Sequence, residues 1–210
     1  MKIALILENS QAGKNELIYT ELKNVAAKFG HTVDNYGMFS PDDKRCLTYV
    51  QNGLLASILL TTKAADFVIT GCGTGEGAML ACNSFPNVLC GHIESPQDAF
   101  LFSQINAGNA ISIPYAQNFG WGGELTLRYI FEKLFAEKAG GGYPKERVEA
   151  EQRNKKILDE VKTITHRPLI DILHTIDQKF LKDTINDESF VKHFYPNCQD
   201  KKVAEYLKAL

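Results

Sequence analysis

The chain has 210 residues, 44% of them hydrophobic, and a formal net charge of −2. This length fits one domain with an appendage better than two full domains, and the hydrophobic fraction is enough for a sizeable core. The small net charge argues against nucleic acid or anionic lipid as a partner, so we expect a small-molecule ligand. No apolar run approaches the roughly 20 residues that a membrane-spanning helix needs, so we expect a soluble protein without a membrane partner.

Five cysteines are spaced irregularly without a C-x-x-C pair, and no signal-peptide pattern precedes the first apolar run. An odd set of this kind favours reduced thiols over a disulfide framework or a zinc site. The sequence therefore predicts a cytoplasmic protein that holds no metal ion. Four of the cysteines are expected to be packing residues: Cys46, Cys82, Cys90 and Cys198.

Short apolar runs alternate with helix-compatible segments over the first two-thirds of the chain. The predicted strands are Lys2–Leu7, Thr32–Tyr36, Phe67–Thr70, Val88–His92 and Ala110–Ile113. The helix-compatible segments are Asn15–Phe29, Leu47–Thr62, Gly77–Ser84, Asp98–Asn106 and Gly122–Lys138. Strands this short and apolar are typical of a parallel sheet that is buried on both faces. The alternation predicts a Rossmann-like α/β fold, a three-layer α/β/α sandwich around five parallel strands.

A run of three glycines, Gly140–Gly142, ends this alternation. A charged segment and short helical segments follow it, and no further strand is evident. We therefore expect an α/β domain over residues 1–144 and C-terminal helices over residues 145–210, packed on the core or on a neighbouring subunit.

A glycine-rich turn, residues 71–77, directly follows the third predicted strand. In parallel sheets ligands bind at the carboxyl ends of strands, and alternating glycines let a ligand approach the backbone. The N–H groups at the start of the next helix favour negative charge, so we expect them to lower the pKa of the Cys72 thiol. A thiolate beside such donors supplies what proton abstraction next to a carbonyl needs: a base, and donors for the developing oxyanion.

The same turn is open to other interpretations. Cys72 is also compatible with an inert, buried side chain among glycines that only turn the chain. Gly73, Gly75 and Ala78 match a relaxed dinucleotide fingerprint, and Glu94 lies where a ribose-binding carboxylate would stand, but the match follows the third strand rather than the first. A cysteine-phosphatase loop is excluded, because it needs an arginine where this chain has Ala78.

Several short motifs resemble those of one known family. They are Gly71–Ala78, Asn83 and Asn106–Ala110, together with Ala12-Gly13 and Tyr36-Gly37. In these motifs, residues 1–150 are similar to the family of ribose-5-phosphate isomerase B and galactose-6-phosphate isomerase. The resemblance implies a metal-independent aldose–ketose isomerase of a small sugar phosphate, a pentose or tetrose phosphate, that works through a cis-enediol without a cofactor. It also implies a homodimer or homotetramer with its sites at the subunit interface.

The resemblance assigns roles to individual residues. Cys72 would be the base that carries the proton between adjacent carbons, and Thr74 would hydrogen-bond the reacting oxygens. The enediolate would be held by the backbone amides of four residues of the turn: Gly73, Gly75, Glu76 and Gly77. Asn106 would join the site from the partner subunit, and Arg147 would grip the phosphate.

Three further residues are substrate-binding candidates. Glu8 and Asn9 end the first strand at its carboxyl edge, where either could meet a substrate hydroxyl. The alternative there is a turn with a helix cap at Ser10 or Asn15. Tyr49 lies near the place of a site tyrosine of the family, with core packing of its ring as the alternative.

The chain also departs from the family. The family's aspartate-histidine pair is Ser10-Gln11 here, its ring-opening histidine falls at Ile105, and two phosphate arginines fall near Tyr143 and Ala116. Loss of that histidine predicts a substrate that is largely open-chain. Loss of the basic residues keeps a second hypothesis open, a non-catalytic sugar-phosphate-binding or partner subunit, because members of the family also work as unlike pairs. A dinucleotide-binding oxidoreductase is the third hypothesis.

Two side chains are candidates to replace the missing groups. His92 could act for the ring-opening histidine, and a structural role is its alternative. Arg128 could contact a phosphate, and the alternative is a surface ion pair with Glu124 or Glu132 at helical spacing.

Overall fold

A five-stranded parallel sheet forms the centre of the computed structural model, which describes residues 1–210. The strands are β1 (Lys2–Leu7), β2 (Thr32–Asn35), β3 (Phe67–Cys72), β4 (Cys90–His92) and β5 (Ala110–Pro114). Their order across the sheet is β2-β1-β3-β5-β4, and all neighbouring strands are parallel. The Rossmann-like α/β fold that the sequence predicts is therefore confirmed.

Helices cover both faces of this sheet. The first five are α1 (Asn15–Lys28), α2 (Tyr49–Thr61), α3 (Glu76–Asn83), α4 (Pro96–Leu101) and α5 (Gly123–Phe135). A 3-10 helix at Asn9–Lys14 precedes α1, and a π-helical turn at Phe102–Asn106 extends α4. Capping boxes fix the starts of α2 and α4, where Thr48 and Ser95 accept hydrogen bonds from the backbone three residues on.

Two hydrophobic clusters lie on opposite faces of the sheet, because successive strand side chains point to opposite sides. Even-numbered residues of β1 and β3 join the cluster under α2: Ala4, Ile6 and Val68. Odd-numbered residues join the cluster under α1 and α5: Ile3, Leu5, Leu7, Phe67 and Ile69. Burial of both sets explains why these strands are continuously apolar rather than alternating.

The chain beyond Gly142 is helical, as expected. A 3-10 turn at Lys145–Arg147 leads into α6 (Val148–Thr165), α7 (Leu169–Thr175), α8 (Gln178–Ile185), α9 (Glu188–Asn197) and α10 (Lys201–Lys208). The last four helices add buried side chains to the cluster under α2: Leu169, Leu173, Leu181, Ile185, Phe190, Phe194, Val203 and Leu207. The C-terminal helices therefore share a core with the sheet, and a domain boundary near residue 145 stays a prediction. No helix combines the length and apolar character needed to span a membrane.

Candidate active site

Cys72 is the last residue of β3, at the carboxyl edge of the sheet. The sequence suggested that it stands inside the turn, but the strand continues because Gly71 and Cys72 pair with Ile113 and Pro114 of β5. Cys72 is 8% exposed, whereas Thr74, two residues later, is exposed. The thiol therefore lies at the carboxyl edge of the sheet, where the turn begins.

Gly75 shapes the turn that follows. It has φ +77°, a left-handed conformation that side chains other than glycine adopt at a cost. A Cβ atom there would lie 2.7 Å from His92 Nε2, and His92 Nε2 itself lies 2.8 Å from the carbonyl oxygen of Thr74. His92 therefore has the structural role that sequence analysis gave as its alternative: it fixes the backbone of the turn.

The turn ends at the start of α3, whose first residue is Glu76. The backbone N–H of Glu76 donates to the Thr74 hydroxyl over a long 3.4 Å. Tyr49, the first residue of α2, lies against the same helix, since its ring is 3.4 Å from a Cβ atom built on Gly77. At 46% exposure the Tyr49 ring is not packed in the core. Its role in binding, like that of the turn amides, stays a prediction.

Glu8 lies beside Cys72 and is only 2% exposed. Leu7 pairs with Gly71 across β1 and β3, so Glu8 and Cys72 are next in register. The Glu8 carboxylate accepts hydrogen bonds from the backbone N–H of Ser10 at 2.8 Å and from its hydroxyl at 2.5 Å. Glu8 is therefore the cap of the 3-10 helix, and the alternative of a helix cap at Ser10 or Asn15 is wrong.

Sequence reasoning missed two residues that adjoin the site, Gln11 and Lys14. Gln11 Nε2 lies 3.8 Å from a Cβ atom built on Gly73, and Gln11 Oε1 accepts from Lys14 Nζ at 2.9 Å. Lys14 also donates to the carbonyl of Tyr115 and lies 4.9 Å from the centre of the Phe119 ring. Burial lowers the pKa of Lys14. The one sequence signal for this contact was that Gln11 and Lys14 are three residues apart, which is the spacing of neighbours on a helical turn.

Asn9 is held away from the turn by its own contacts. Its backbone N–H donates to Leu47 O at 2.8 Å, and its side-chain amide donates to Cys46 Sγ at 3.2 Å. Cys46 is exposed, so the expectation that it packs in the interior is wrong; Cys82 and Cys90 are buried as expected.

Asn106 and Arg147 do not meet Cys72 within one chain. Asn106 precedes β5, whereas Cys72 pairs with Pro114 at the end of that strand, so the two lie at opposite edges of the sheet. Arg147 is exposed just beyond Gly142, whose N–H donates to Gln104 O beside Asn106. The two predicted binding residues therefore lie on one side of the molecule and the thiol on the other.

Arg128 is engaged elsewhere. Its guanidinium forms a bidentate pair with Glu21, with Nε–Oε2 at 2.9 Å and a second contact at 3.0 Å. That carboxylate raises the pKa of Arg128. The predicted ion pair of Arg128 with Glu124 or Glu132 is wrong, because α5 packs on α1 and brings Glu21 to the Arg128 guanidinium.

Two cavities of the chain are not lined by Cys72. One of about 1110 Å³ separates the β2 edge from α8 and α9 and is lined by Asp34, Arg45 and His193, among others. The second, of about 560 Å³, contains His92 and Asn106. No group of three or more His, Cys, Asp or Glu side chains is close enough to hold a metal ion.

Two protein families match separate parts of the chain. The family described as "Ribose/Galactose Isomerase" matches residues 3–155, and the one described as "Ribose-5-phosphate isomerase" matches residues 164–210. No curated protein gives a match.

Solved structures extend the likeness to the whole chain. A 4-deoxy-L-threo-5-hexosulose-uronate ketol-isomerase complexed with a tartrate is 61% identical, with a TM-score of 0.98 over 100% of this chain and 98% of that one. The ribose-5-phosphate isomerase from Vibrio parahaemolyticus is 50% identical, with a TM-score of 0.97 over 100% and 98%. The type B ribose 5-phosphate isomerase from Trypanosoma cruzi, 15% identical with a TM-score of 0.65 over 78% and 99%, shares the fold. The chain therefore belongs to the ribose/galactose isomerase family and is an aldose–ketose isomerase.

Proposed function

We propose that Cys72 is the base of this isomerase and that the substrate passes through a cis-enediolate. The observation that carries the proposal is the position of Cys72, which ends a buried strand immediately before a glycine-rich turn and the start of α3. The thiolate would remove a proton from the carbon next to the carbonyl. The N–H groups of the turn and of the first turn of α3 would stabilise the charge that moves to the carbonyl oxygen.

The exposed side chains around the thiol fit the remaining roles. The Thr74 hydroxyl is free to bond a reacting oxygen, because its own contact with the Glu76 N–H is long. The half-exposed Tyr49 ring, which lies beside Gly77, would border the substrate. These groups act on the sugar itself, without a cofactor in the proposed sequence of steps.

The two candidate substrates, a sugar phosphate and a sugar acid, differ in their anionic group. A pentose or tetrose phosphate is supported by the family descriptions and by the 50% identical structure. A sugar acid, a uronate, is supported by the ketol-isomerase that is 61% identical and holds a tartrate, a dicarboxylate. By the family resemblance, two phosphate arginines fall near Tyr143 and Ala116, and the histidine of the aspartate-histidine pair falls at Gln11. These side chains are neutral here, which suits a single carboxylate charge better than a phosphate. We therefore favour an open-chain uronate.

A substrate panel separates these candidates. We expect kcat/KM for 4-deoxy-L-threo-5-hexosulose uronate to exceed that for ribose 5-phosphate by about 10²-fold or more. The reason is that the proposed site lacks basic side chains to pair with the phosphate. A four-carbon ketose phosphate and a ring-locked hexose phosphate complete the panel. Faster turnover of a phosphate would restore the phosphate candidate. Thermal stabilisation by these ligands without any isomerisation would instead support the non-catalytic binding subunit.

We further propose a homodimer or homotetramer whose sites are completed across the interface. Asn106 and Arg147 lie at the opposite edge of the sheet from Cys72 in one chain, and a second copy would bring such residues to the thiol. Helix α6 supports this, because none of its residues is buried and its apolar residues are open to solvent: Ile157, Leu158, Val161 and Ile164. Trp121, which is fully exposed, is a further unpaired apolar group.

A further inference from the structure

The buried carboxylate of Glu8 lies next to Cys72 and projects from the same face of the sheet. Glu8 follows Leu7 in register with Cys72, and its backbone stays extended, with φ −95° and ψ 174°. The alternation of β1 therefore continues through Glu8. The pair just before them, Ile6 and Thr70, also shares a face, where the Thr70 hydroxyl donates to Ile6 O at 2.7 Å. Neighbouring strands lie about 4.8 Å apart, so the Glu8 and Cys72 side chains begin within reach of one small substrate.

A chain of hydrogen bonds runs in one direction to that carboxylate. Lys14 Nζ donates to Gln11 Oε1 at 2.9 Å, and Gln11 Nε2 donates to Ser10 Oγ at 3.0 Å. The Ser10 hydroxyl donates in turn to Glu8 Oε1 at 2.5 Å. Because each donor polarises the next, this chain of hydrogen bonds links the Lys14 ammonium to the Glu8 carboxylate. Capping of a 3-10 helix needs only the contact from the Ser10 backbone, so the longer chain requires another explanation.

We propose that Glu8 is a second catalytic residue, the group that moves the hydroxyl proton while Cys72 moves the carbon-bound one. This inference rests on the proposed function. Cys72 breaks the C–H bond next to the carbonyl, and the electron pair forms the C=C bond while the carbonyl π electrons become the enolate lone pair. The Glu8 carboxylate takes the proton from the adjacent hydroxyl and gives it to that enolate oxygen. The Cys72 thiol then returns its proton to the other carbon, which leaves both side chains as they began.

Loss of this transfer has a specific consequence. The enediolate still forms, but its proton stays on the oxygen that carried it at the start, so collapse regenerates the starting sugar. Proton exchange with solvent therefore continues while product formation slows. A residue that only caps a helix, or only binds substrate, would change both processes by the same factor.

The test measures both processes in deuterated water. Glu8→Gln keeps the size and the acceptor oxygen of the side chain, and Glu16→Gln, an exposed change in α1, is the matched control. NMR follows deuterium in recovered substrate and in product, with 4-deoxy-L-threo-5-hexosulose uronate and ribose 5-phosphate as probes. For Glu8→Gln we expect product formation to fall about 10²–10⁴-fold and exchange into recovered substrate to fall less than about tenfold. Glu16→Gln should change neither.

Each other result overturns a distinct claim. If the wild-type protein exchanges deuterium but Glu8→Gln loses exchange and turnover equally, or loses neither, Glu8 does not move the hydroxyl proton. If the wild-type protein exchanges no deuterium with either probe, the proposed function fails and this inference with it. Should Glu8→Gln not fold, Ser10→Ala keeps the carboxylate but cuts the chain to Lys14. Its exchange-to-product ratio should rise by about tenfold, and an unchanged ratio contradicts the proposal.

Discussion

At the scale of single residues, the site depends on which positions around Cys72 leave room for a ligand. Gly73 and Gly75 stand on either side of Thr74 but meet different surroundings. A Cβ atom on Gly73 would meet Ala116 Cβ at 3.7 Å, an ordinary contact, whereas one on Gly75 would strike His92. A methyl group therefore fits at Gly73 without a clash, whereas Gly75 is needed for the backbone conformation of the turn.

This difference predicts opposite outcomes for two alanine substitutions. Gly73→Ala should leave thermal stability nearly unchanged but lower kcat/KM about 10²-fold, because the added methyl displaces the substrate from the amides. Gly75→Ala should lower the free energy of unfolding by at least about 1–2 kcal/mol, because its φ is +77°. Thermal unfolding and steady-state kinetics on both variants check this. Normal kinetics in Gly73→Ala would show that substrate does not approach the turn.

The sequence predicted Cys72 and its turn because glycine spacing after an apolar strand is a local pattern. It did not predict the contacts of Glu8 with Ser10, Gln11 and Lys14, because these depend on how a 3-10 helix folds back over the strand end. The partner of Arg128 was likewise missed, since Glu21 lies 107 residues away and only the packing of α1 on α5 brings them together.

At the scale of elements, strand and helix positions follow closely from the hydrophobic pattern. The start and end of β1, and the starts of β2, β3 and β5, agree with the expectation from sequence, since buried parallel strands read as continuous apolar runs. Strand β3 is longer than predicted and includes Cys72, because Gly71 and Cys72 pair with β5. The residue types at these two positions do not indicate this pairing. The C-terminal helices were predicted, but the sequence did not decide whether they pack on the core of their own chain or on a neighbouring subunit. In the structure they pack on the core of their own chain.

Helix α9 shows how firmly the extension is attached. Phe190 is fully buried under α2 and stacks on Phe194 with ring centres 4.5 Å apart, whereas its neighbour Val191 is 55% exposed. Phe190→Ala should lower the free energy of unfolding by about 3–5 kcal/mol through lost burial and a cavity. Val191→Ala is the matched control and should change it by less than about 0.5 kcal/mol. Denaturant titration checks both, and a small effect of Phe190→Ala would mean that the extension is not part of the core.

At the scale of the whole molecule, the chain divides its predicted site residues between two sides. Cys72, Thr74 and Tyr49 gather at the carboxyl edge of the sheet, and Asn106 and Arg147 lie at the other edge. Sequence alone assigned these residues through family resemblance but had no means to locate them relative to one another. The proposed site, which includes all of these residues, would therefore be completed by a second copy of the chain.

Complementation between inactive variants tests such sharing. Cys72→Ser and Asn106→Ala should each be nearly inactive alone, but subunit exchange in an equal mixture should restore about a quarter of wild-type activity. Half of the dimers would then be mixed, and each would have one intact site of two. Size-exclusion chromatography with light scattering confirms that dimers exchange. Activity that never exceeds that of either variant alone would show that each site is built within one chain.

The central claim is that the Cys72 thiolate removes the carbon-bound proton. Its most direct test is the rate at which solvent deuterium enters the substrate, measured by NMR for the wild-type protein and for Cys72→Ser at equal concentration. We expect the serine variant to exchange about 10²–10⁴-fold more slowly with an unchanged melting temperature, because a hydroxyl is a far weaker acid than a thiol and does not supply the base. Exchange at the wild-type rate in Cys72→Ser would contradict the account.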